Sequence, residues 1–308
     1  LKKKEIMTLS GISNSRTVLG NENGNFVTYK SDRYGFRNPN KEWDNKSILL
    51  GLMDSQHKAF NAVKSSLGEI ENAVSLALKR LQKNSSSQIV YVGSGTSGRI
   101  GMLDGVELIP TFGWQNERLK FCFSGKDLSK PSEKSEDDIE LARNDFNKSN
   151  ITSSDVVICI AASGTTKYTV AILEMAKKIG ALTIAIFNNK SSLLNNADVK
   201  IYLSSGSEFL AGSTRLAAGT SQKITLNLFS TLLMIRLHKV YKGFMVDMKV
   251  TNSKLRNRAE NVVSEITACD LSKARKILID TNYNIKLSIL MLNNYSKEEA
   301  LKLLHQSS

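Results

Sequence analysis

The fold is decided by one stretch of sequence, Ile89-Val-Tyr-Val-Gly-Ser-Gly-Thr-Ser-Gly-Arg-Ile-Gly-Met-Leu-Asp-Gly-Val-Glu107. Its apolar start, Ile89 to Val92, is typical of an inner strand that is covered on both faces. A turn rich in glycine and hydroxyl groups, Gly93 to Gly98, then leads into an amphipathic run. A turn of this kind points backbone N–H groups at an anion, helped by the helix dipole. The side chains that we expect to contact a phosphate here are Ser94, Thr96 and Ser97.

The same turn fails to match two familiar nucleotide motifs. It lacks the Gly-Lys-Ser/Thr ending of an NTPase phosphate loop. It does fit the Gly-x-Gly-x-x-Gly dinucleotide pattern, but that pattern requires an acid at the end of the second strand. The next apolar run, Leu119 to Phe123, is followed instead by Ser124-Gly125-Lys126. We therefore expect no cofactor, and the hydroxyl-rich turn favours a phosphate monoester over a purely structural turn.

Composition and charge argue against several classes of function. The chain has 308 residues, of which 41% are hydrophobic, enough for one large α/β domain with smaller pieces. The formal net charge is +13, but the basic residues are scattered along helices, so we expect no nucleic acid partner. Because no apolar run is long enough to cross a bilayer and no signal-peptide pattern follows Leu1-Lys-Lys-Lys4, we expect a cytoplasmic protein without a membrane partner.

The cysteines and histidines show no spacing that is typical of a disulfide, a metal site or a Ser-His-Asp triad. Each of the three histidines stands alone in a helical context. Cys122 and Cys159 lie inside apolar strand-like runs, which favours reduced core thiols. We therefore expect no metal site.

Strand-like runs alternate with helical patterns across the middle of the chain. The five runs are Gln88–Gly93, Leu119–Ser124, Asp155–Ala162, Leu182–Asn188 and Val199–Leu203. This alternation predicts an α/β fold with a doubly wound, parallel five-stranded sheet flanked by helices. Ligands of such sheets bind outside the carboxyl ends of the strands, where a second hydroxyl-rich loop also lies. The candidate phosphate-binding residues of that loop are Ser163, Thr165 and Thr166.

We divide the chain into three parts. Residues 1–47 are polar and irregular, residues 48–250 form the ligand-binding domain, and residues 251–308 form a small C-terminal helical region. The apolar periodicity predicts one long leading helix from Ile48 to Leu81. A second long helix, from about Thr214 to Tyr241, is apolar on much of its surface. That helix is predicted to pack centrally or to form the interface of a homodimer.

Four sequence blocks together are specific enough to indicate a family. They are Gly95-Thr-Ser-Gly-Arg-Ile-Gly-Met-Leu-Asp104, Pro110-Thr-Phe-Gly113, Glu208-Phe-Leu-Ala-Gly-Ser-Thr-Arg-Leu-Ala-Ala-Gly-Thr-Ser-Gln-Lys223 and Met245-Val-Asp-Met-Lys-Val-Thr-Asn-Ser-Lys-Leu-Arg256. From about residue 50 to the end, the chain resembles the N-acetylmuramic acid 6-phosphate etherases of the sugar isomerase (SIS) domain superfamily.

The resemblance implies cleavage of the lactyl ether of N-acetylmuramic acid 6-phosphate to N-acetylglucosamine 6-phosphate and D-lactate, without metal or nucleotide. It also implies two catalytic acids, which map by position onto Glu107 and Glu136. A base must remove the proton beside the open-chain aldehyde, and an acid must protonate the departing lactate oxygen. The alternative for Glu107 is a solvated helix residue, and for Glu136 it is an acid at a helix amino terminus.

Departures from the family pattern keep two other functions open. Thr165 stands where the family usually has Arg in Ser-Gly-Arg-Thr-Pro-Tyr, and Ala217 stands where Lys usually follows Ser-Thr-Arg-Leu. Both changes remove charge near the expected substrate. One alternative is therefore another SIS enzyme, a sugar-phosphate isomerase. The other is a non-catalytic sugar-phosphate-binding regulator, similar to the related glucokinase regulatory protein.

Overall fold

The computed structural model describes residues 44–125 and 135–306. Most of the predicted irregular segment, residues 1–47, therefore lies outside the described residues. Its last residues are described, and they are already helical, because the first helix begins at Asn45. Asp44 precedes this helix and accepts a hydrogen bond from the Ser47 N–H at 2.7 Å. This capping bond explains why the helix begins before the first apolar residue of the pattern.

The predicted parallel five-stranded sheet is confirmed. The strands are β1 (Ile89–Gly93), β2 (Leu119–Phe123), β3 (Val156–Ile160), β4 (Leu182–Phe187) and β5 (Val199–Tyr202). Their spatial order is β2-β1-β3-β4-β5, and all neighbours are parallel. Every residue of β1, β3 and β4 is buried, as expected when helices cover both faces of a sheet. The order of the strands reverses between β1 and β3, which is where doubly wound folds bind ligands.

Helices cover both faces of the sheet and continue beyond it. They are α1 (Asn45–Ser65), α2 (Leu67–Lys83), α3 (Gly95–Phe112), α4 (Ile139–Lys148), α5 (Lys167–Lys178), α6 (Ala217–Arg236), α7 (Ser253–Thr267), α8 (Leu271–Asp280), α9 (Ile285–Leu292) and α10 (Lys297–Gln306). One core packs α2, α3 and α6 on one face of the sheet, and a second core packs α4 and α5 on the other. Within the described ranges, no helix is both long enough and apolar enough to cross a membrane.

The prediction of one leading helix from Ile48 to Leu81 was wrong. The chain bends at Ser66, which separates α1 from α2 with φ −109° and ψ 17°. The Ser66 hydroxyl lies 2.9 Å from the carbonyl oxygen of Tyr202 at the end of β5, to which it donates a hydrogen bond. A contact between residues so distant in sequence leaves no trace in the apolar periodicity.

The predicted helix from Thr214 to Tyr241 is shorter at both ends, because α6 spans Ala217–Arg236. Tyr241 lies instead in a hairpin of two short strands, β6 (Val240–Tyr241) and β7 (Phe244–Met245). The turn between them is formed by Lys242 and Gly243, both with positive φ, as a tight hairpin turn requires. Much of the apolar surface of α6 is used within the chain, since it packs against α1, α2 and α3.

The described part of the C-terminal region consists of four helices, α7 to α10, with a core of its own formed mainly by α7, α8 and α9. One carboxylate connects this region to the rest of the chain. Asp247 Oδ2 lies 2.8 Å from the Nζ atoms of both Lys239, before the hairpin, and Lys286 in α9. The Asp247 backbone also packs directly on Gly113, where an added Cβ would lie 2.2 Å from the Asp247 carbonyl oxygen. These contacts hold the region against the end of α3.

A buried carboxylate, Asp104, joins three elements of the domain. It accepts hydrogen bonds from Tyr91 in β1 at 2.9 Å, from Asn227 in α6 at 2.8 Å and from Ser230 in α6 at 3.0 Å. Burial raises the pKa of Asp104, although these three hydrogen bonds act in the opposite direction. The side chain therefore fixes α3 against both the sheet and α6.

We expect Asp104→Ala to lower the free energy of unfolding by about 3 kcal/mol or more, because it leaves two buried donors, Tyr91 and Ser230, and the half-buried Asn227 without this acceptor. Asp104→Asn keeps an oxygen facing α6 and should cost much less. Denaturant unfolding of both variants tests this, with Glu71→Ala on the exposed face of α2 as the control. Equal stability of Asp104→Ala and the control would contradict the role given to this carboxylate.

Candidate active site

The predicted phosphate loop lies at the carboxyl end of β1, where the chain enters α3. Ser94 is the N-cap residue of α3 and Gly95 has a φ of +53°. Gly93 and Gly98 contact each other so closely that a Cβ on Gly93 would lie 2.9 Å from the Gly98 backbone nitrogen. Glycine is therefore required where the strand turns into the helix. The first turn of α3 presents backbone N–H groups that have no acceptor in the preceding turn, as an anion site needs.

The three predicted hydroxyls of this loop differ in their surroundings. Ser94 and Ser97 are buried, and the Ser94 Oγ atom has no hydrogen-bond partner among the described residues. Thr96 is half-buried and points toward the start of α6, where a Cβ on Gly219 would lie 3.4 Å from its Cγ2 atom. Ser94 thus has hydrogen-bonding capacity that nothing in the described chain uses.

The second predicted loop lies beside the first, because β3 is the neighbour of β1 in the sheet. Ser163 accepts a hydrogen bond from the Thr165 N–H at 3.2 Å, which leaves its own hydroxyl hydrogen free to be donated. Thr166 is the N-cap residue of α5 and makes no side-chain capping bond. Thr165 is exposed, whereas Ser163 and Thr166 are half-buried. The two loops therefore end adjacent strands and lie at one edge of the sheet.

Glu136 lies directly at the phosphate loop. A Cβ on Gly95 would lie 2.8 Å from Glu136 Oε1, so the carboxylate sits over the first residue of α3. The Glu136 carbonyl oxygen accepts a hydrogen bond from the Tyr168 N–H at 3.0 Å, which ties this segment to the first turn of α5. The side chain is half-buried between the starts of two helices.

The acids that follow Glu136 in the same run each have a partner outside the phosphate loop at the start of α3. Asp138 caps α4 by accepting a hydrogen bond from the Leu141 N–H at 2.8 Å. Asp137 lies 3.6 Å from Lys167, and Glu140 lies 2.6 Å from Arg143, both in exposed ion pairs. The expected acid at a helix amino terminus is therefore Asp138. Sequence alone could not distinguish Glu136 from the acids that follow it.

Glu107 is not brought to the phosphate loop within this chain. It is exposed on α3 and lies twelve positions after Gly95. At about 1.5 Å per residue, the two positions are roughly 18 Å apart along the helix. Two large exposed apolar residues, Leu103 and Val106, lie near it on the same helix. The two acids that the resemblance implies, Glu107 and Glu136, are therefore far apart within one chain. Only a second chain could bring its Glu107 to the phosphate loop of this one.

Two further polar residues near the site were missed by the sequence analysis. Glu208 accepts hydrogen bonds from the N–H groups of Ala217 and Ala218, both at 2.9 Å, and so caps the start of α6. Ser124, which follows β2, is buried, and its hydroxyl has no partner among the described residues. Its position beyond the register pair Gly93 and Phe123 places it beside Ser94. The only signal in the sequence was its place at a strand end.

We expect Ser97→Ala and Ser163→Ala each to weaken binding of the phosphorylated sugar by about 1 kcal/mol, or roughly fivefold, if their hydroxyls donate to the phosphate. Binding of the dephosphorylated sugar should be equally poor for all forms. Calorimetric titration measures both, and Ser75→Ala on the exposed face of α2 is the control. Unchanged affinity in both loop variants would mean that the phosphate binds elsewhere.

Two hydroxyl-lined loops at the switch point of a parallel sheet define a phosphosugar-binding domain of the SIS type. Family models agree: the N-terminal SIS domain of glucokinase regulatory protein matches residues 69–177, and the SIS domain matches residues 128–235. The chain belongs to the N-acetylmuramic acid 6-phosphate etherase family, as its relatives show.

Two of these relatives are N-acetylmuramic acid 6-phosphate etherases of bacteria. The enzyme of Caldanaerobacter subterraneus is 40% identical over 279 residues, which cover 88% of this chain and 90% of the relative. That of Pseudothermotoga lettingae is 42% identical over 269 residues, covering 86% and 89%. A solved structure, a phosphoheptose isomerase from Francisella tularensis, aligns with 63% of this chain and 98% of its own at 15% identity and a TM-score of 0.45.

Proposed function

We propose that this protein cleaves the lactyl ether of N-acetylmuramic acid 6-phosphate, releasing D-lactate and N-acetylglucosamine 6-phosphate. The observation that carries the proposal is the Glu136 carboxylate over Gly95, beside the unpartnered Ser94 hydroxyl, in a chain of the etherase family. The reaction would serve recycling of the bacterial cell wall in the cytoplasm. Its place in metabolism follows from the substrate, which is a phosphorylated cell-wall sugar.

The mechanism begins with the phosphate, which the start of α3 and the loop Ser163–Thr166 hold at the edge of the sheet. One carboxylate removes the proton beside the open-chain aldehyde, and an acid protonates the lactate oxygen as its bond to the sugar breaks. Water then adds to the unsaturated intermediate, so that the sugar regains a hydroxyl and the protons balance. The closeness of the Glu136 carboxylate to Gly95 in the phosphate loop supports a role for Glu136 in one of these proton transfers.

The second acid, Glu107, is supplied in this proposal by the partner subunit of a homodimer. Three helices leave large apolar side chains exposed on the chain, and two of them, α1 and α3, pack on the third, α6. The residues are Leu49, Leu50, Met53 and Phe60 in α1, Leu103 and Val106 in α3, and Leu228 and Ile235 in α6. We call these eight residues the α1–α3–α6 face. Two-fold pairing through this face would bury it and carry Glu107 toward the partner's phosphate loop.

Lactate release tests the proposed function directly. Incubation with N-acetylmuramic acid 6-phosphate should give D-lactate and N-acetylglucosamine 6-phosphate in equal amounts. Ketose formation from hexose phosphates without lactate release would support an isomerase instead. Tight sugar-phosphate binding without turnover at any pH would support the non-catalytic regulator.

The isomerase remains the second candidate for one reason. Thr165 is exposed at the position where the family usually has Arg, and the nearby cation Lys167 forms an ion pair with Asp137. This loop therefore offers a different arrangement of charge to the substrate. A comparison of several 6-phosphosugars in the same assay determines which one the loop accepts.

A further inference from the structure

A second polar cavity lies at the opposite end of the sheet from the phosphate loop. It has a volume of about 390 Å³ and opens at the amino ends of β1 and β2. Because a strand of this length spans roughly 17 Å, the cavity is well separated from the candidate active site. Its polar lining includes Ser85, Gln88, Gln115, Arg118, Lys120 and Asn150. We call it the β1–β2 cavity.

Arg118 is held rigidly in the wall of this cavity. Its Nε atom donates a hydrogen bond to the Ser87 carbonyl oxygen at 2.8 Å, and its Cζ atom lies 4.4 Å from the centre of the Trp114 ring. Trp114 is buried and donates in turn to the Arg118 carbonyl oxygen at 3.2 Å. These contacts use one of the five N–H groups of the guanidinium and fix its plane.

The Arg118 charge has no direct counter-ion in the part of the chain that the structure describes. No described carboxylate lies within 4.0 Å of the guanidinium. Burial lowers the pKa of Arg118, and the more distant charge of Asp155 only partly offsets this effect. A half-buried cation of this kind is stabilised when an anion binds beside it.

A neighbouring cation extends the same preference. Lys120 is half-buried on β2 and adds a second positive charge, against one carboxylate in the lining, Glu117. An oxyanion that binds in the cavity would therefore interact favourably with both Arg118 and Lys120.

We propose that the β1–β2 cavity is a second binding site, which takes a small phosphate- or carboxylate-bearing metabolite. The terminal N–H groups of Arg118 hold two oxygens of the anion side by side, and Lys120 adds a point charge. This site is independent of the etherase reaction, since it shares no residue with the candidate active site.

The indole N–H signal of Trp114 offers a local measurement on the full chain. The protein has two tryptophans, so Trp43→Phe assigns the signal in an NMR spectrum. Titration with inorganic phosphate should shift it with saturation, and titration with acetate shows whether a carboxylate binds more tightly. Saturation with either anion supports the site and identifies its chemistry. Absence of a saturable shift with both anions would overturn the proposal.

Matched variants then separate a built site from general attraction of anions to a basic protein. Arg118→Gln should weaken the anion affinity at least about tenfold, and Lys120→Gln severalfold. Lys276→Gln removes one exposed charge on α8, far in sequence from the residues that line the cavity, and should leave the affinity unchanged. Equal losses in Lys276→Gln and Lys120→Gln would overturn the proposal. If Arg118→Gln fails to fold, Arg118→Lys replaces it: this variant keeps the positive charge but loses the planar fork and the Nε–H bond to Ser87, and it should also weaken the anion affinity.

Discussion

Glu107→Gln is expected to lower the rate of lactate release at least about 100-fold while leaving folding and sugar-phosphate binding largely intact. The substitution keeps the size and shape of the side chain and removes only its capacity to transfer a proton. Because Glu107 is exposed on α3, no buried contact is lost. The measurement is D-lactate release under saturating substrate, with binding followed separately by calorimetry.

Two controls make this result specific. Glu69→Gln changes an exposed acid on α2 and should have full activity. Glu136→Gln should also be slow, since its carboxylate lies at the phosphate loop. Near-normal turnover by Glu107→Gln would remove this residue from the mechanism. A mild effect of Glu136→Gln would mean that another acid of the same run is the second catalytic group.

A mixture of the two inactive variants tests whether Glu107 acts across the subunit interface. In a mixed dimer, the phosphate loop of the Glu107→Gln chain keeps its own Glu136 and meets an intact Glu107 from the partner. Random pairing would then restore about a quarter of the wild-type activity, because half of the dimers are mixed and each has one complete site. If both acids came from the same chain, mixing would restore nothing.

The sequence predicted the parts of the fold that depend on local pattern. The five strands are mostly apolar. The glycine spacing from Gly93 to Gly98 already indicates a tight turn from a strand into a helix. Both features are confirmed. The rules for parallel crossovers fix the handedness of the connections but not the strand order, β2-β1-β3-β4-β5, which only the structure shows. The sequence therefore predicted the sheet and the position of the two loops at the carboxyl ends of its strands.

Non-local contacts account for what could not be predicted. The bend at Ser66 depends on a carbonyl group of β5, and Asp104 depends on Asn227 and Ser230, more than 120 residues away. The contact of Glu136 with the phosphate loop likewise depends on how the segment before α4 folds back over Gly95. Such partners are set by tertiary packing, and neither periodicity nor spacing contains them.

The division of the chain into three parts remains a prediction. Helix α7 begins at Ser253, close to the predicted boundary at residue 251, but Val246 and Met248 already contribute to the core of the C-terminal region. The link through Asp247 to Lys239 and Lys286 also crosses the boundary. A fragment that ends at residue 250 would therefore lose the partner of a shared carboxylate, and we expect the two parts to fold as one unit.

Leu228→Asp is expected to convert the proposed homodimer to a monomer and to abolish lactate release with it. Leu228 is 41% exposed on α6 within the single chain. Because a two-fold interface contains the same residue from both chains, the substitution would bury two charges. A loss of about 3 kcal/mol would weaken association roughly a hundredfold. Light scattering over a dilution series, measured together with activity, shows whether dimer and turnover are lost at the same concentration.

Ile279→Asp is the matched control, because it places the same charge on an exposed apolar residue of α8, outside the α1–α3–α6 face. It should remain dimeric and active. Part of the apolar surface of α6 is not available to an interface, since Leu226, Phe229 and Leu233 are already buried within the chain. The interface therefore depends on the side of α6 that carries Leu228 and on its neighbours in α1 and α3. A fully active monomer would return α6 to internal packing and require that Glu107 be replaced by an acid of the same chain.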